Sequence, residues 1–523
     1  MKKRISIPNV LCAVMLCMYL FAIQIARQIA EYTYVYYKNV FLIIWLLIAV
    51  FLTCVFLRSK GAASRGISSA GASRKECVIW FCATLAISLC VLLTYYFAFY
   101  PGAYSPDSYD QLEQAQTGIY DDWHPFIHTL LFFTLPLKLF GGRIEFIVLM
   151  QLLWFSVALG YLNYSLRANG CSRLACFAEL MLVLLSPATG NIMMYPWKDC
   201  GLTIFAVVLA AQYVNIVCTN GMWLKKPANF ISFIVISVLT TLVRHNAVLF
   251  VLPLFTVTVL LCIKRSKLIA GGLIGGYIMV LLLIKGPVYS LYNVEKPDRR
   301  IVETTGACMT VMGDVLLENP DALPEYIKDF LYEVAPQKVW EESYRSGSFN
   351  SIKFHEETDT NVIDEAGYGT ILRYTIEAIK ADKAHALRGF LSLTDMIWKI
   401  DVTGAIYAGS CEEETDITVD AATRGYCLDV VNIWAQLVHG DVAQYLFYCV
   451  GLLDLLIIAF SLSDIARWSE LLRGVHALPI LCYNFGTALL LTGSDWRFFF
   501  YTFPVFIPFA FLILRKNEKD MAL

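Results

Sequence analysis

Long apolar runs separated by short polar stretches dominate this chain, and their lengths predict helices, not strands. The first run follows Met1-Lys-Lys-Arg4 and extends to Arg27. It is long and lacks a small-x-small cleavage site, so a signal anchor is expected, with its basic start inside. Runs at 40–57 and 77–97 flank a basic, Gly/Ser-rich stretch from Arg58 to Lys75, expected to be flexible and cytoplasmic. The third run then emerges on the extracytoplasmic face. The next apolar stretch, 126–140, is interrupted by Pro136 and Lys138 and falls short of the ~20 residues that cross a bilayer, so an interfacial or re-entrant segment is expected.

With that stretch not crossing, spans at 144–166, 174–192, 201–217, 230–242, 247–263 and 268–284 place Arg167 and Arg173, Lys225 and Lys226, and Lys264, Arg265 and Lys267 inside. Spans at 442–462, 475–491 and 498–514 do the same for Arg467, Arg473, Arg515 and Lys516. A crossing at 126–140 would invert the middle of the chain and break this agreement. The expectation is an all-α polytopic membrane protein of about 12 transmembrane helices with both termini cytoplasmic.

Three parts follow. An N-terminal membrane module, 1–286, carries the first outer loop, 98–142, with interfacial helices; a polar extracytoplasmic insertion, 287–440, follows; and a second membrane module, 441–523, closes the chain. The insertion is too long to lack structure. Helical patterning is visible at 321–334 and 370–400, where Ile371, Tyr374, Ile376, Ile379, Leu387, Phe390 and Leu393 recur at three and four spacing. Glu412-Glu413-Glu414 reads as a loop, and no internal repeat is evident.

Composition agrees with a membrane location: 58% of the 523 residues are hydrophobic and the mean hydropathy is +0.59, beyond an ordinary soluble domain. A net charge of -2 without a clustered basic surface gives no sign of a nucleic-acid partner. Most cysteines lie inside apolar runs as small hydrophobes. Cys308, Cys411 and Cys427 lie in the polar region, where a Cys411–Cys427 bridge is one open pairing, and Cys-x-x-Cys pairs are absent.

Between Tyr100 and His128 the chain concentrates Asp107, Asp110, Glu113, Asp121, Asp122, His124 and His128, and carboxylates beside a bilayer are costly unless they work. Ser105-Pro106-Asp107-Ser108 suits the start of a helix over 108–116, capped by Ser or Asp. The three-residue spacing of Asp107, Asp110 and Glu113 also aligns carboxylates on one face, as a general base or a divalent-cation site requires. His124 and His128 are four apart, a spacing compatible with zinc. The Glu of His-Glu-x-x-His is missing, and Trp123 and Pro125 equally suit an interface and a helix start. The remaining charges at outer span ends are Lys198-Asp199, Arg244-His245, and Asp495 with Arg497. Lys198, Arg244 and Arg497 are natural ligands for a lipid phosphate, a role that ordinary phospholipid headgroups would also satisfy.

This pattern resembles the GT-C superfamily of integral-membrane glycosyltransferases, nearest to uncharacterised bacterial members. The resemblance rests on Asp107 in a first outer loop, on Asp121-Asp122-Trp123-His124-Pro125 followed by Leu139-Phe140-Gly141, on Pro196-Trp197-Lys198-Asp199, and on Asp495-Trp496-Arg497-Phe498 with Pro504. It implies transfer of a sugar from a polyprenyl-phosphate donor to an extracytoplasmic cell-envelope glycan or lipid, at the outer face of a bacterial cytoplasmic membrane. Asp107, Asp122 and His124 become the candidate catalytic residues, with Asp107 as base. Lys198, Asp199, Arg244, His245, Asp495 and Arg497 become candidate substrate ligands. The resemblance also implies a divalent cation, Mg or Mn, on Asp107 and Asp199, although the second loop has a single Asp where relatives carry Asp-x-Asp. A transporter or flippase, and an envelope polysaccharide polymerase, are the alternatives; a transporter would place its charges near the midplane and in repeated halves.

Overall fold

The computed structural model describes residues 71–296, 301–400, 415–438, 443–464 and 474–515, with Ala408, Gly409 and a few positions between Met18 and Ile29. The expected span at 40–57 and, apart from those few positions, that at 5–27, together with the linker up to residue 70, Cys411, the Glu412–Glu414 loop, Arg467, Arg473, Lys516 and both termini, lie outside the described residues. Among the described residues the regular structure is helical, with only isolated β-bridges besides.

The helices that frame the site are α1 (Arg74–Ala98), α2 (Pro106–Thr117), α3 (Phe126–Leu139), α4 (Glu145–Ala168), α5 (Lys198–Cys218), α6 (Pro227–Val243), α7 (His245–Ile263), α8 (Lys267–Leu291) and α9 (Trp496–Leu514). Six of these, α1, α4, α5, α7, α8 and α9, are long and apolar enough to cross a membrane. The expected 174–192 span is instead two pieces, Arg173–Leu184 and Pro187–Ile192, because Pro187 has no N–H to continue the ladder and disfavours helix at Ser186. The expected 442–462 span is interrupted at Cys449, between Ala443–Tyr448 and Val450–Asp464. The 475–491 stretch shortens to a 3-10 turn, Val475–Ala477, and the helix Leu478–Ala488. At 14 residues α3 would extend only about 21 Å, well under the ~30 Å hydrocarbon thickness.

The chain divides into two compact units. The larger comprises Leu57–Pro297, Val402–Tyr483 and Trp496–Leu523. Within it α1 and α4 run antiparallel. Ser73 caps α1 by accepting from Glu76 N–H at 3.2 Å, and the Glu76 carboxylate pairs with Arg167 of α4 at 2.6 Å and with Arg173 at 2.9 Å. At the opposite end Tyr96 Oη donates to Glu145 O at 2.8 Å. Helix α5 lies buried among its neighbours, whereas α8 is largely exposed. Buried polar side chains join the helices: Asn163 Nδ2 donates to Thr84 Oγ1 at 3.2 Å and to Glu179 Oε2 at 3.4 Å. The helix Ala421–Val438 packs on α1, so this part of the expected 287–440 insertion belongs with the larger unit.

The smaller unit contains Asp298–Asp401 and Asn484–Asp495. Its core gathers Met309, Met312, Val315, Ile327, Leu331, Trp340, Phe349 and Ile371. Helical patterning at 321–334 and 370–400 is realised as Glu325–Val334, Asn361–Ala381 and Lys383–Trp398; Asp382 separates the last two and caps the second by accepting from Ala384 and His385 N–H. A buried Asp314 accepts from Tyr344 Oη at 2.7 Å and Ser346 Oγ at 2.8 Å, with Arg388 Nη1 at 3.3 Å.

Candidate functional site

The site assembles at one end of the larger unit's helices. Gly102 takes φ +129°, a conformation L side chains rarely adopt, and a Cβ there would meet Val148 Cγ2 at 2.5 Å. This close approach lets Ala103 N–H donate to Met194 O at 2.9 Å and aims the loop into α2. Ser105 occupies the N-cap position with Pro106 following it, but its Oγ accepts from Trp197 Nε1 at 2.7 Å and caps no backbone N–H. Asp107 therefore falls in the first turn of α2 and not at its cap.

From that turn the Asp107 carboxylate sits 3.9 Å from Lys198 Nζ, at the start of α5, and 3.8 Å from Arg497 Nη1, in the first turn of α9. Its side chain is 37% exposed. Ion pairs at this separation attract while leaving the oxygens approachable. Asp110, one turn along α2, lies 3.1 Å from His124 Nε2, and His124 Nδ1 lies 3.3 Å from Lys198 Nζ. A lysine ammonium only donates, so Nδ1 accepts from Lys198 and the Nε2–H donates to Asp110; the tautomer is assigned from these partners. Burial first, and then the Lys198 cation, hold His124 down to about 4, so the ring is neutral. Burial, followed by the Asp121 carboxylate, pushes Asp110 above the usual carboxylate range. Glu113, the third carboxylate of the row, is exposed.

Aromatic rings order the cations. Trp197 stacks on Tyr195 with centroids 4.0 Å apart, and the Arg497 guanidinium lies 4.7 Å from Trp197 and 5.1 Å from Phe498. Arg244 lies 4.9 Å from the Phe498 ring, is ion-paired with Asp199, and donates from Nε to Asn246 Oδ1 at 2.6 Å. Asp199 and Arg244 are only 3% and 7% exposed. They neutralise each other where α5 begins and α6 ends, so the cations facing Asp107 are Lys198 and Arg497. This arrangement does not suit a divalent cation on Asp107 and Asp199: one carboxylate is enclosed with a guanidinium, and the other is flanked by two positive charges. Among the described residues no group of three or more His, Cys, Asp or Glu is placed to hold a metal.

The two histidines separate. His124 precedes the N-cap Pro125, so it does not share a helical turn with His128. His128 Nδ1 lies 2.7 Å from Gln111 Oε1 and its ring stacks on Phe132. It packs against Gly201 of α5, where a Cβ would stand 2.7 Å from His128 Cδ2. Asp122 faces other partners: its oxygens accept from Lys285 Nζ at 2.7 Å, Tyr289 Oη at 2.8 Å and Phe126 N–H at 3.1 Å. His245 Nε2 lies 3.1 Å from Asp122 O. Asp495 belongs to the smaller unit, although Arg497, two residues on, belongs to the larger. The fold thus brings Asp107, His124, Lys198 and Arg497 together, with Asp199 and Arg244 paired behind them and Asp122 and His245 in an adjoining cluster.

Asp110 was visible in the sequence only as part of an acidic row. Lys285 was the readable clue to the adjoining cluster, a lone charge ending an apolar run just before Gly286-Pro287. Comparison with family models, curated proteins and solved structures finds no match to this chain. Chemically, the cluster offers a partly exposed carboxylate beside two cations ordered by aromatic faces, the parts needed to take a proton from a hydroxyl and to neutralise an anion within one small volume.

Proposed function

We propose that this protein is a GT-C-type glycosyltransferase that moves a sugar from a polyprenyl-phosphate donor to an extracytoplasmic glycan or lipid acceptor of the cell envelope. The observation that carries this reading is the convergence of Asp107, Lys198 and Arg497 from three distant segments. Asp107 takes the proton of the acceptor hydroxyl as its oxygen bonds to the anomeric carbon. The bond from that carbon to the phosphate oxygen breaks, its electron pair leaves with polyprenyl phosphate, and the configuration inverts. Lys198 and Arg497 neutralise the departing phosphate, and neutral His124 accepts from Lys198 at 3.3 Å.

The sidedness follows from charge. Helix ends opposite the site carry Arg167, Arg173, Lys225, Lys226, Lys264, Arg265 and Arg515, which the positive-inside rule places in the cytoplasm. The site then faces outward, in a chain of about twelve crossings with α3 lying at the surface. The test incubates purified protein with a panel of polyprenyl-phosphate sugars and membrane acceptors and follows free polyprenyl phosphate by mass spectrometry. Release by wild type and its loss in Asp107→Asn is the expected result; equal release by both overturns the assignment of Asp107, and no release from a broad panel by folded wild type overturns the transferase reading.

A further inference from the structure

The cluster around Asp122 has no part in the chemistry above, yet it is built with unusual care. Helix α8 abandons α-helical geometry over Ile284–Val288, where five residues including Pro287 form a π-helical turn. Such turns cost stability and concentrate at functional sites. Here the turn places Lys285 and Tyr289 on one carboxylate: Lys285 Nζ reaches both Asp122 Oδ2 and Tyr289 Oη, the latter at 2.9 Å, and lies 4.3 Å over the Tyr289 ring. Beyond α8 the chain turns back along the same loop, so that Glu295 N–H donates to Tyr120 O at 2.8 Å and Asp122 N–H donates to Glu295 O at 3.1 Å. Helix α3 carries a second π-helical turn, Leu130–Thr134, just after His128. Residue 122 is thereby fixed through its carboxylate, its N–H and its carbonyl oxygen, by α8, the 295 segment and His245.

A partly buried ion pair adds little net stability, because desolvation offsets attraction; what it can supply is position. Two residues along from Asp122 stands His124, whose two ring nitrogens meet Asp110 and Lys198. We propose that Lys285, through Asp122 and Tyr289, is a positioning residue that fixes the 120–125 loop so that His124 holds Lys198 beside Asp107. The role rests on the transferase reading for its consequence in turnover, but the mechanical link from Lys285 to His124 stands apart from it.

The experiment compares Lys285→Met and Lys285→Arg with wild type in two arms. The first measures release of polyprenyl phosphate, separating kcat from KM; misplacing a reacting group by about 1 Å can lower turnover about 100-fold. Lys285→Met is expected to lose on that order in kcat with KM for the donor changed less than about threefold, and Lys285→Arg to recover most of it. The second arm needs no substrate: diethyl pyrocarbonate modification of each histidine, read by peptide mass spectrometry. His124 is 4% exposed and His128 is fully enclosed. Lys285→Met should raise modification of His124 at least tenfold while His128 stays protected, and Lys285→Arg should not. An unchanged His124 overturns the proposal whatever the activity. Equal loss of protection at His128 also overturns it, since the pair would then merely support the fold. If wild type releases no polyprenyl phosphate, the transferase reading fails, and the modification arm still decides the link from Lys285 to His124.

Discussion

The Asp199–Arg244 pair lends itself to a double-mutant cycle whose asymmetry the fold dictates. Both groups are nearly excluded from solvent, and Asp199 stands in the first turn of α5. Asp199→Asn leaves a guanidinium enclosed without its counter-charge and beside the positive end of a helix, and breaking such a buried pair costs about 3–5 kcal/mol. Arg244→Met leaves a carboxylate instead, but that charge sits where the helix N-terminus favours it, by up to about 2 kcal/mol in partly buried geometry. Loss of the Arg244 contact with Phe498, worth about 0.5–2 kcal/mol, takes back part of that advantage. The expectation is that Asp199→Asn destabilises more than Arg244→Met by roughly 1 kcal/mol, and that the double variant falls short of the summed single effects by about 2 kcal/mol or more. Unfolding by denaturant in mixed micelles, followed by tryptophan fluorescence, measures all four corners. Single effects that add within about 0.5 kcal/mol, or an Arg244→Met cost exceeding that of Asp199→Asn, would refute the reasoning.

Other outcomes follow from particular contacts. Gly201→Ala places a methyl 2.7 Å from His128 Cδ2 and 2.9 Å from Val243 Cγ2, and overpacking of this kind should cost about 1–3 kcal/mol in the same unfolding assay. His124 is held down to about 4 by burial and Lys198; unfolded, it titrates near ~6.5. Because the unfolded state binds its proton first, the stability it contributes is present above about pH 6.5 and lost as pH falls towards 4, and His124→Gln should flatten that slope in unfolding measured across the window. In the smaller unit, Tyr344→Phe removes the hydroxyl that donates to the buried Asp314 carboxylate and should cost about 1–3 kcal/mol, read as a lower unfolding midpoint. For sidedness, a membrane-impermeant thiol reagent applied to intact cells should label Glu113→Cys, whereas Lys226→Cys should react only after permeabilisation; both positions are exposed.

Hydropathy and charge along the chain were enough to read a helical membrane protein, because twenty apolar residues with no charges have few other stable fates in water or lipid. They were also enough to single out Asp107, His124, Lys198 and Arg497, since an ionisable group at the end of an apolar run is conspicuous. Helical periodicity also marked Glu325–Val334 and the 370–400 stretch, but not that the latter breaks at Asp382 into two helices, the first beginning upstream at Asn361. Span lengths were less legible: hydropathy averages over Pro187 and Cys449 and does not register that the helix stops there.

Which charges face which was not readable at all. Nothing in Lys198-Asp199 or Arg244-His245 says that Asp199 turns inward to Arg244 while Lys198 turns to His124 and Asp107; adjacent residues on a helix point about 100° apart, and the choice is made by what each side meets in the packed structure. Likewise the carboxylates of Asp121-Asp122 look equivalent in sequence until a π-helical turn in α8 delivers Lys285 and Tyr289 to one of them. Sequence alone determined that this chain is membrane-bound and helical and which residues are chemically capable, because burial of apolar length and exposure of charge are local demands. Only the tertiary structure decided the pairing of those charges, because electrostatic partners tens to hundreds of residues apart are set by helix packing and by which groups that packing removes from water.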